Sequence, residues 1–309
     1  MRDERGTIYV LTGCTAVGKT ALALDWAEAN DAEIVSCDSL LFYRGLDIGT
    51  AKPSPEEQER VPHHLIDIRE AYQAMDIGDY LELAIDTIED IRSRGKKPLV
   101  TGGSGFYLKS FFAPVVDEVT VSSAVREAVL AIEAKDGLAG LVRKLEALDS
   151  NCRSEVDIDN GRRVIRALER CLETGKSIRE LKTEFAAQSN LLTEAPKRLT
   201  ILERERGYLN ERIERRVSEM LTNGLVEEVE RLMAEGFERN GSASGSIGYR
   251  ETLAYIKGEY DLEVLRKNIA TNTRRLAKKQ RSWFRSQLPP GKVVDLDQAN
   301  QGLVDTLFG

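Results

Sequence analysis

Hydrophobic and polar positions along the chain fall into two alternating regimes. The segments "TIYVLTG" (Thr7–Gly13), "EIVSCD" (Glu33–Asp38) and "KPLVTGG" (Lys97–Gly103) are short apolar runs closed by glycine or a charge, the signature of strands covered on both faces. "KTALALDWAEAN" after the first run, and a stretch from about Gly78 to Arg94, carry helical spacing, so the chain opens as βαβ. Between them "LFYRGLDIGTAKPSPEE" is rich in Gly and Pro and lacks periodicity. It reads as a long loop, and structureless loops of that length usually carry function. From about Val119 to Pro196 the patterns are helical: "SSAVREAVLAIEAK", "LAGLVRKLEAL", "NGRRVIRALERCLETG" and "SIRELKTEF". "RLTILERE" then returns to strand character, helical stretches follow near Tyr208–Glu235, Ile247–Lys257 and Leu262–Gln287, and "KVVDLD" closes as a short strand. The pattern predicts an α/β protein: a parallel-sheet core from residues 1–118 and 197–309, with an all-helical insertion at 119–196.

The first βα turn carries chemistry. Gly13, Gly18, Lys19 and Thr20 satisfy GxxxxGK[ST] between a strand and a helix, which makes the core P-loop NTPase-like. The segment Gly13, Cys14, Thr15, Ala16, Val17, Gly18, Lys19, Thr20 is therefore the expected phosphate cradle. Its backbone N–H groups and the helix N-terminus face phosphate oxygens, Lys19 bridges them, and the Thr20 hydroxyl can hold Mg²⁺. NTPases of this class place an acid at the end of another strand to help hold the metal. Here "PLVTGG" ends in Gly102 and Gly103, and the acid ends the second strand, at Asp38. Two roles stay open for it: a base toward a nucleophile attacking the phosphate-bearing molecule, or a cap for the following turn.

Composition narrows the picture. At 309 residues, with 41% hydrophobic and 31% charged positions, the chain has room for about two domains. No apolar run approaches the ~20 residues that span a bilayer, and "MRDERGTIYV" has no leader character, so a cytoplasmic location is expected. Cys14, Cys37, Cys152 and Cys171 are far apart, which points to buried thiols and not to zinc or disulfides. The only histidines, His63 and His64, are adjacent, which argues against a histidine triad. Net charge is −7, yet "TRRLAKKQRSWFR" (Thr273–Arg285) has six basic residues and no acid. Arg162, Arg166 and Arg170 share a helix face, with Arg163 beside it. Net charge alone argues against nucleic acid, yet its distribution leaves local basic surfaces on an acidic chain, or else solvated helix faces.

"GCTAVGKT", "CDSLLFYRGLDIGTAKP", "PHHLID", "GGSGFYLKS", "RRVIRALE", "IGYRE" and "TRRLAKKQRSWFR" follow one another in the order and spacing of the tRNA dimethylallyltransferase (isopentenyltransferase) family, over nearly the whole chain. The resemblance implies transfer of a dimethylallyl group from dimethylallyl diphosphate to N6 of the adenosine immediately 3′ of the anticodon, in tRNAs reading U-initial codons. Asp38 would be the base, and Lys19, Mg²⁺, Thr15 and Arg216 would act on the diphosphate, with Arg212 as the alternative arginine. Surface pairing of Arg212 and Arg216 with glutamates is the bland reading. The resemblance implies contact with the tRNA anticodon stem-loop at Asp38, Ser39, Leu40, Leu41, Ser104, Arg126, Arg162 and Arg163. It implies the same for Ile247, Gly248, Tyr249, Arg250, Lys278, Lys279, Gln280, Arg281, Trp283 and Arg285. At least one of Trp283 and Phe284 is expected in the core. A monomer without membrane contact is expected.

Cys14, Leu41 and Ser104 depart mildly from the family's pattern; "DIDNGRR" departs further, with Asp157 where histidine is usual and Asp159 and Asn160 exchanged. The chain ends at Gly309 without the zinc finger of eukaryotic relatives and so resembles the bacterial form. Rival readings are a small-molecule kinase with ATP in the loop, an adenylate isopentenyltransferase, and a non-catalytic RNA-binding switch. The first leaves the basic tail unexplained, the second the insertion and tail, and the third the missing acid after "PLVTGG".

Overall fold

The computed structural model describes residues 6–117, 119–298 and 302–309. Residues 1–5 of the segment without leader character, and residue 118 at the expected boundary, lie outside them. Among the described residues six strands form one sheet: β1 (Ile8–Gly13), β2 (Ala32–Ser36), β3 (His63–His64), β4 (Lys97–Gly102), β5 (Lys197–Glu203) and β6 (Lys292–Asp295), in the order β3-β2-β4-β1-β5-β6. Every pairing is parallel, as the near-continuous apolar runs imply. β1 lies between β4 and β5, with Val10 opposite both Val100 and Leu199. All six residues of β1 are buried. All the C-terminal ends of these strands therefore share one edge, where α/β sheets bind ligands.

The chain divides into two compact units, Ala113–Asn190 and the remainder. The division falls a few residues before the expected 119–196, and on its C-terminal side Leu192, on the short helix Leu191–Glu194, is buried in the sheet's core. Within Ala113–Asn190, Val129, Leu141, Leu145, Val164 and Leu168 form a separate apolar core. The first two helical patterns of this unit meet at Gly137, whose φ of 61° breaks the helix Ser123–Leu148 into two. Asn160 caps the helix Gly161–Thr174 by accepting from the Arg163 N–H, and Gly175 ends it in the left-handed region.

Three features differ from the sequence pattern. A helix at Pro55–Arg60, opened by a Ser54–Glu57 capping box, lies at the end of the expected loop. His63 and His64 form a two-residue strand. The stretch near Tyr208–Glu235 is two helices, Arg206–Thr222 and Leu225–Ala234, separated at Gly224 with φ 98°. All four cysteines are buried and free, as expected. No helix among the described residues is long and apolar enough to cross a membrane.

Candidate active site

The phosphate loop turns tightly after β1. Gly18 adopts φ 113°, a region that favours glycine, and starts the helix Lys19–Ala29. The loop is braced from outside by arginines: Arg212 Nε donates to the Ala16 carbonyl at 2.8 Å, and Arg204 Nε to that of Val17 at 3.2 Å. Lys19 curls back over the loop, with Nζ 2.9 Å from the Gly13 carbonyl and 3.0 Å from that of Cys14. Burial lowers its pKa to about 8; the Arg216 charge acts in the same direction, and the Asp38 carboxylate opposes it.

A cavity of about 680 Å³ opens along the C-terminal strand edge. Thr15, Lys19 and Thr20 line it from the loop, and Asp38, Ser39, Leu40 and Leu41 from the turn after β2. Ser104, Ile247 and Gly248 also face it, as do Lys279, Gln280 and Trp283 on the helix Leu262–Gln287. Arg216 enters from the helix Arg206–Thr222, its Nη2 donating to the Thr50 carbonyl at 2.9 Å. Burial lowers the Arg216 pKa, with the Asp38 charge opposing. The structure thus aims Arg216 into the cavity and lays Arg212 on the loop backbone; the surface i,i+4 pair on this helix is Arg215 with Glu219. Asp38 lies two residues past the end of β2, and its Oδ1 accepts the Leu40 N–H at 3.1 Å. It therefore caps the turn and faces the cavity at once. The Ser104 hydroxyl accepts from the Ser39 N–H at 3.0 Å and holds that turn to the end of β4.

Most of the other expected contact residues lie outside the cavity lining. Tyr249 is fully buried and its hydroxyl donates to Glu228 at 2.7 Å, so its ring supports the fold and offers RNA no surface. Arg250 is exposed and pairs with Glu251. Arg281 and Arg285 approach Glu203, at 3.9 and 2.8 Å, beside a small separate cavity that includes Cys14. Lys278 is exposed, Phe284 is buried, and Trp283 packs over Gly105, where a Cβ would come within 2.6 Å of the indole. Arg126, Arg162 and Arg163 are exposed on the helical unit, and Arg163 pairs with Asp157, the residue that departs from the family pattern.

Glu228 escapes sequence reasoning. From the helix Leu225–Ala234 its buried carboxylate accepts the backbone N–H groups of Asp47, Ile48 and Gly49 at 3.1, 2.7 and 3.1 Å, together with the Tyr249 hydroxyl. It thereby fixes the "DIGTAKP" loop, which presents Thr50 to Arg216. Lys52 anchors the other end of that loop, with Nζ on the Tyr43 carbonyl at 3.0 Å and paired with Asp47 and Asp67.

The profile of the IPP transferase family matches residues 41–287. A tRNA dimethylallyltransferase of Opitutus terrae is 50% identical over 292 residues, covering 94% of each chain. One from Thermotoga neapolitana is 38% identical over 277 residues, 89% of this chain and 88% of its own. Among solved structures, the tRNA isopentenylpyrophosphate transferase of Bacillus halodurans matches with a TM-score of 0.70 at 32% identity, over 98% of this chain and 94% of that one. A eukaryotic dimethylallyltransferase acting on tRNA matches with a TM-score of 0.83 at 25% identity, over 97% and 77%. Likeness of this extent, running through the sheet core and the helical insertion alike, makes the chain a member of the IPP transferase family.

Proposed function

We infer that the chain transfers the dimethylallyl group of dimethylallyl diphosphate to N6 of the adenosine immediately 3′ of the anticodon, in tRNAs that read U-initial codons. The observation that carries this reading is the single cavity shared by the phosphate loop, Asp38 and Arg216, flanked by Lys279 and Trp283 of the basic helix. Relatives that are 50% and 38% identical to this chain are named tRNA dimethylallyltransferase, which supports the reading.

The exocyclic amine of adenine is a weak nucleophile because its lone pair is delocalised into the ring. As the new N–C bond forms, the allylic C–O bond breaks, the diphosphate leaves with the electron pair, and Asp38 takes the amine proton. General-base help of this kind is worth about 10²- to 10⁴-fold. Lys19, the loop amides and Arg216 meet the charge that develops on the diphosphate, and Thr15 lies in the same loop to contact it. The exposed Thr20 hydroxyl lines the cavity, and the described residues hold no cluster of three or more His, Cys, Asp or Glu that could enclose a metal. The Thr20 hydroxyl would hold Mg²⁺, which would supply positive charge against the leaving diphosphate. The adenosine must leave its stack to reach Asp38, and basic residues on both units, Arg162, Arg163, Lys278 and Lys279, suit the RNA backbone. A tRNA substrate fits a cytoplasmic location.

The test is an endpoint reaction of the purified protein with Mg²⁺, dimethylallyl diphosphate and unmodified tRNA, read by nucleoside mass spectrometry beside Asp38→Ala. Prenylated adenosine from the unmutated chain, lost in the variant, is expected. Turnover of ATP or prenylation of free AMP, with tRNA left unmodified, would overturn the reading in favour of a kinase or an adenylate transferase.

A further inference from the structure

Gln280 stands in the middle of the basic run, yet its carboxamide is occupied within the protein. Its Oε1 accepts the Thr15 backbone N–H at 2.8 Å, and its Nε2 donates to the Gly103 carbonyl at 2.9 Å. Only this orientation of the amide satisfies a donor on one side and an acceptor on the other. The fit is close: a Cβ on Gly103 would come within 2.8 Å of Gln280 Nε2. One side chain thus ties the phosphate loop after β1 to the end of β4. It reaches both from the helix Leu262–Gln287, whose Trp283 packs over Gly105 three residues further along the chain.

We propose that Gln280 is a positioning residue for the diphosphate loop, holding the Thr15 amide and the end of β4 in the arrangement that receives the diphosphate. The family resemblance places it among RNA contacts; the geometry gives it an internal task. The proposal rests on the reading of the loop as a diphosphate site, and its first test does not depend on prenyl transfer.

Hydrogen exchange at the Thr15 amide is measured in the ligand-free protein, for the unmutated chain, Gln280→Met and Gln280→Glu. Met keeps the volume and removes both bonds, whereas Glu keeps an acceptor toward Thr15. Exchange is expected to rise about tenfold in the Met variant and to return toward the unmutated rate in the Glu variant, as expected when a bond of ordinary strength is lost and restored. Binding of inorganic diphosphate is expected to weaken about tenfold in Gln280→Met, while Kd for an anticodon stem-loop changes by less than about twofold. Unchanged Thr15 exchange would overturn the proposal. So would a variant that loses stem-loop affinity and keeps diphosphate affinity, since that is the behaviour of an RNA contact.

Discussion

The carboxylate of Glu228 offers the sharpest test of how the site is built. Its Oε2 receives the Asp47 and Ile48 amides, and its Oε1 the Gly49 amide and the Tyr249 hydroxyl, all beside a residue that is 5% exposed. Glu228→Gln keeps one acceptor oxygen for the Asp47 and Ile48 amides and turns the other into an NH2, from which the Tyr249 hydroxyl can accept but the Gly49 amide cannot. One buried amide left unsatisfied, at about 1–3 kcal/mol, and the exchange of the remaining charge-assisted bonds for neutral ones together cost roughly 3 kcal/mol. For a folded unit of this size that is a fall in Tm of about 6–12 °C. Tyr249→Phe removes only the hydroxyl, leaves all three amides on the carboxylate, and should cost about 1–2 kcal/mol. Activity should separate the two variants further. The loop that Glu228 holds presents the Thr50 carbonyl to Arg216, so Glu228→Gln is expected to lower kcat about tenfold, whereas Tyr249→Phe stays close to the unmutated rate. Thermal unfolding and steady-state prenyl transfer on the three proteins check this. A Glu228→Gln protein within about 1 °C of the unmutated Tm, with an unaltered kcat, would refute the view that this carboxylate sets the loop.

Asp38→Asn keeps an oxygen for the Leu40 amide but cannot take a proton, so single-turnover transfer should fall about 10²- to 10⁴-fold with Tm unchanged. Equal rates for Asn and the unmutated chain would leave Asp38 as a turn cap alone. Lys19 in the ligand-free fold loses its proton near pH 8, so affinity for inorganic diphosphate should drop as pH rises above about 8, a slope that Lys19→Met abolishes. The unfolded lysine keeps its proton to about pH 10.4, so between these values the folded state gains stability as pH rises, measurable as a pH-dependent denaturant midpoint. Removing Arg162 and Arg163 together should weaken stem-loop binding and flatten its log Kd against log salt plot by about two units or less; an unchanged slope would take these residues out of the interface.

Much of the core was readable because its signals are local. β1 and β4 are apolar runs that end in glycine, and the phosphate loop is fixed by residues within eight positions of one another. Asp38 was legible by its place after β2, and Arg216 only through the family resemblance. The helix Pro55–Arg60 is written as a capping box, but it sits in a stretch whose Gly and Pro content reads as loop. What stayed hidden joins distant parts of the chain. Glu228 meets Ile48 across 180 residues and Gln280 meets Thr15 across 265. An exposed glutamate and a buried clamp look the same in a helical heptad, and a glutamine among lysines and arginines reads as part of a charged face. The burial of Tyr249 was hidden for the same reason: "IGYRE" as a motif does not say that its tyrosine turns inward to an acid 21 residues earlier.

The insertion of Ala113–Asn190 between the two segments of the sheet has a consequence for synthesis. β1 is an interior strand, but the partner on one of its sides, β5, lies beyond the insertion in the chain. While the ribosome is still making the helical unit, β1 to β4 can already assemble as β3-β2-β4-β1, with β1 as a bare apolar edge. The helical unit has its own core and can collapse as soon as it emerges. The nascent sheet must wait for Lys197–Glu203 to cover its edge. The period of greatest exposure to aggregation and to chaperones is therefore set by the time needed to translate a domain that contributes no strand to that sheet.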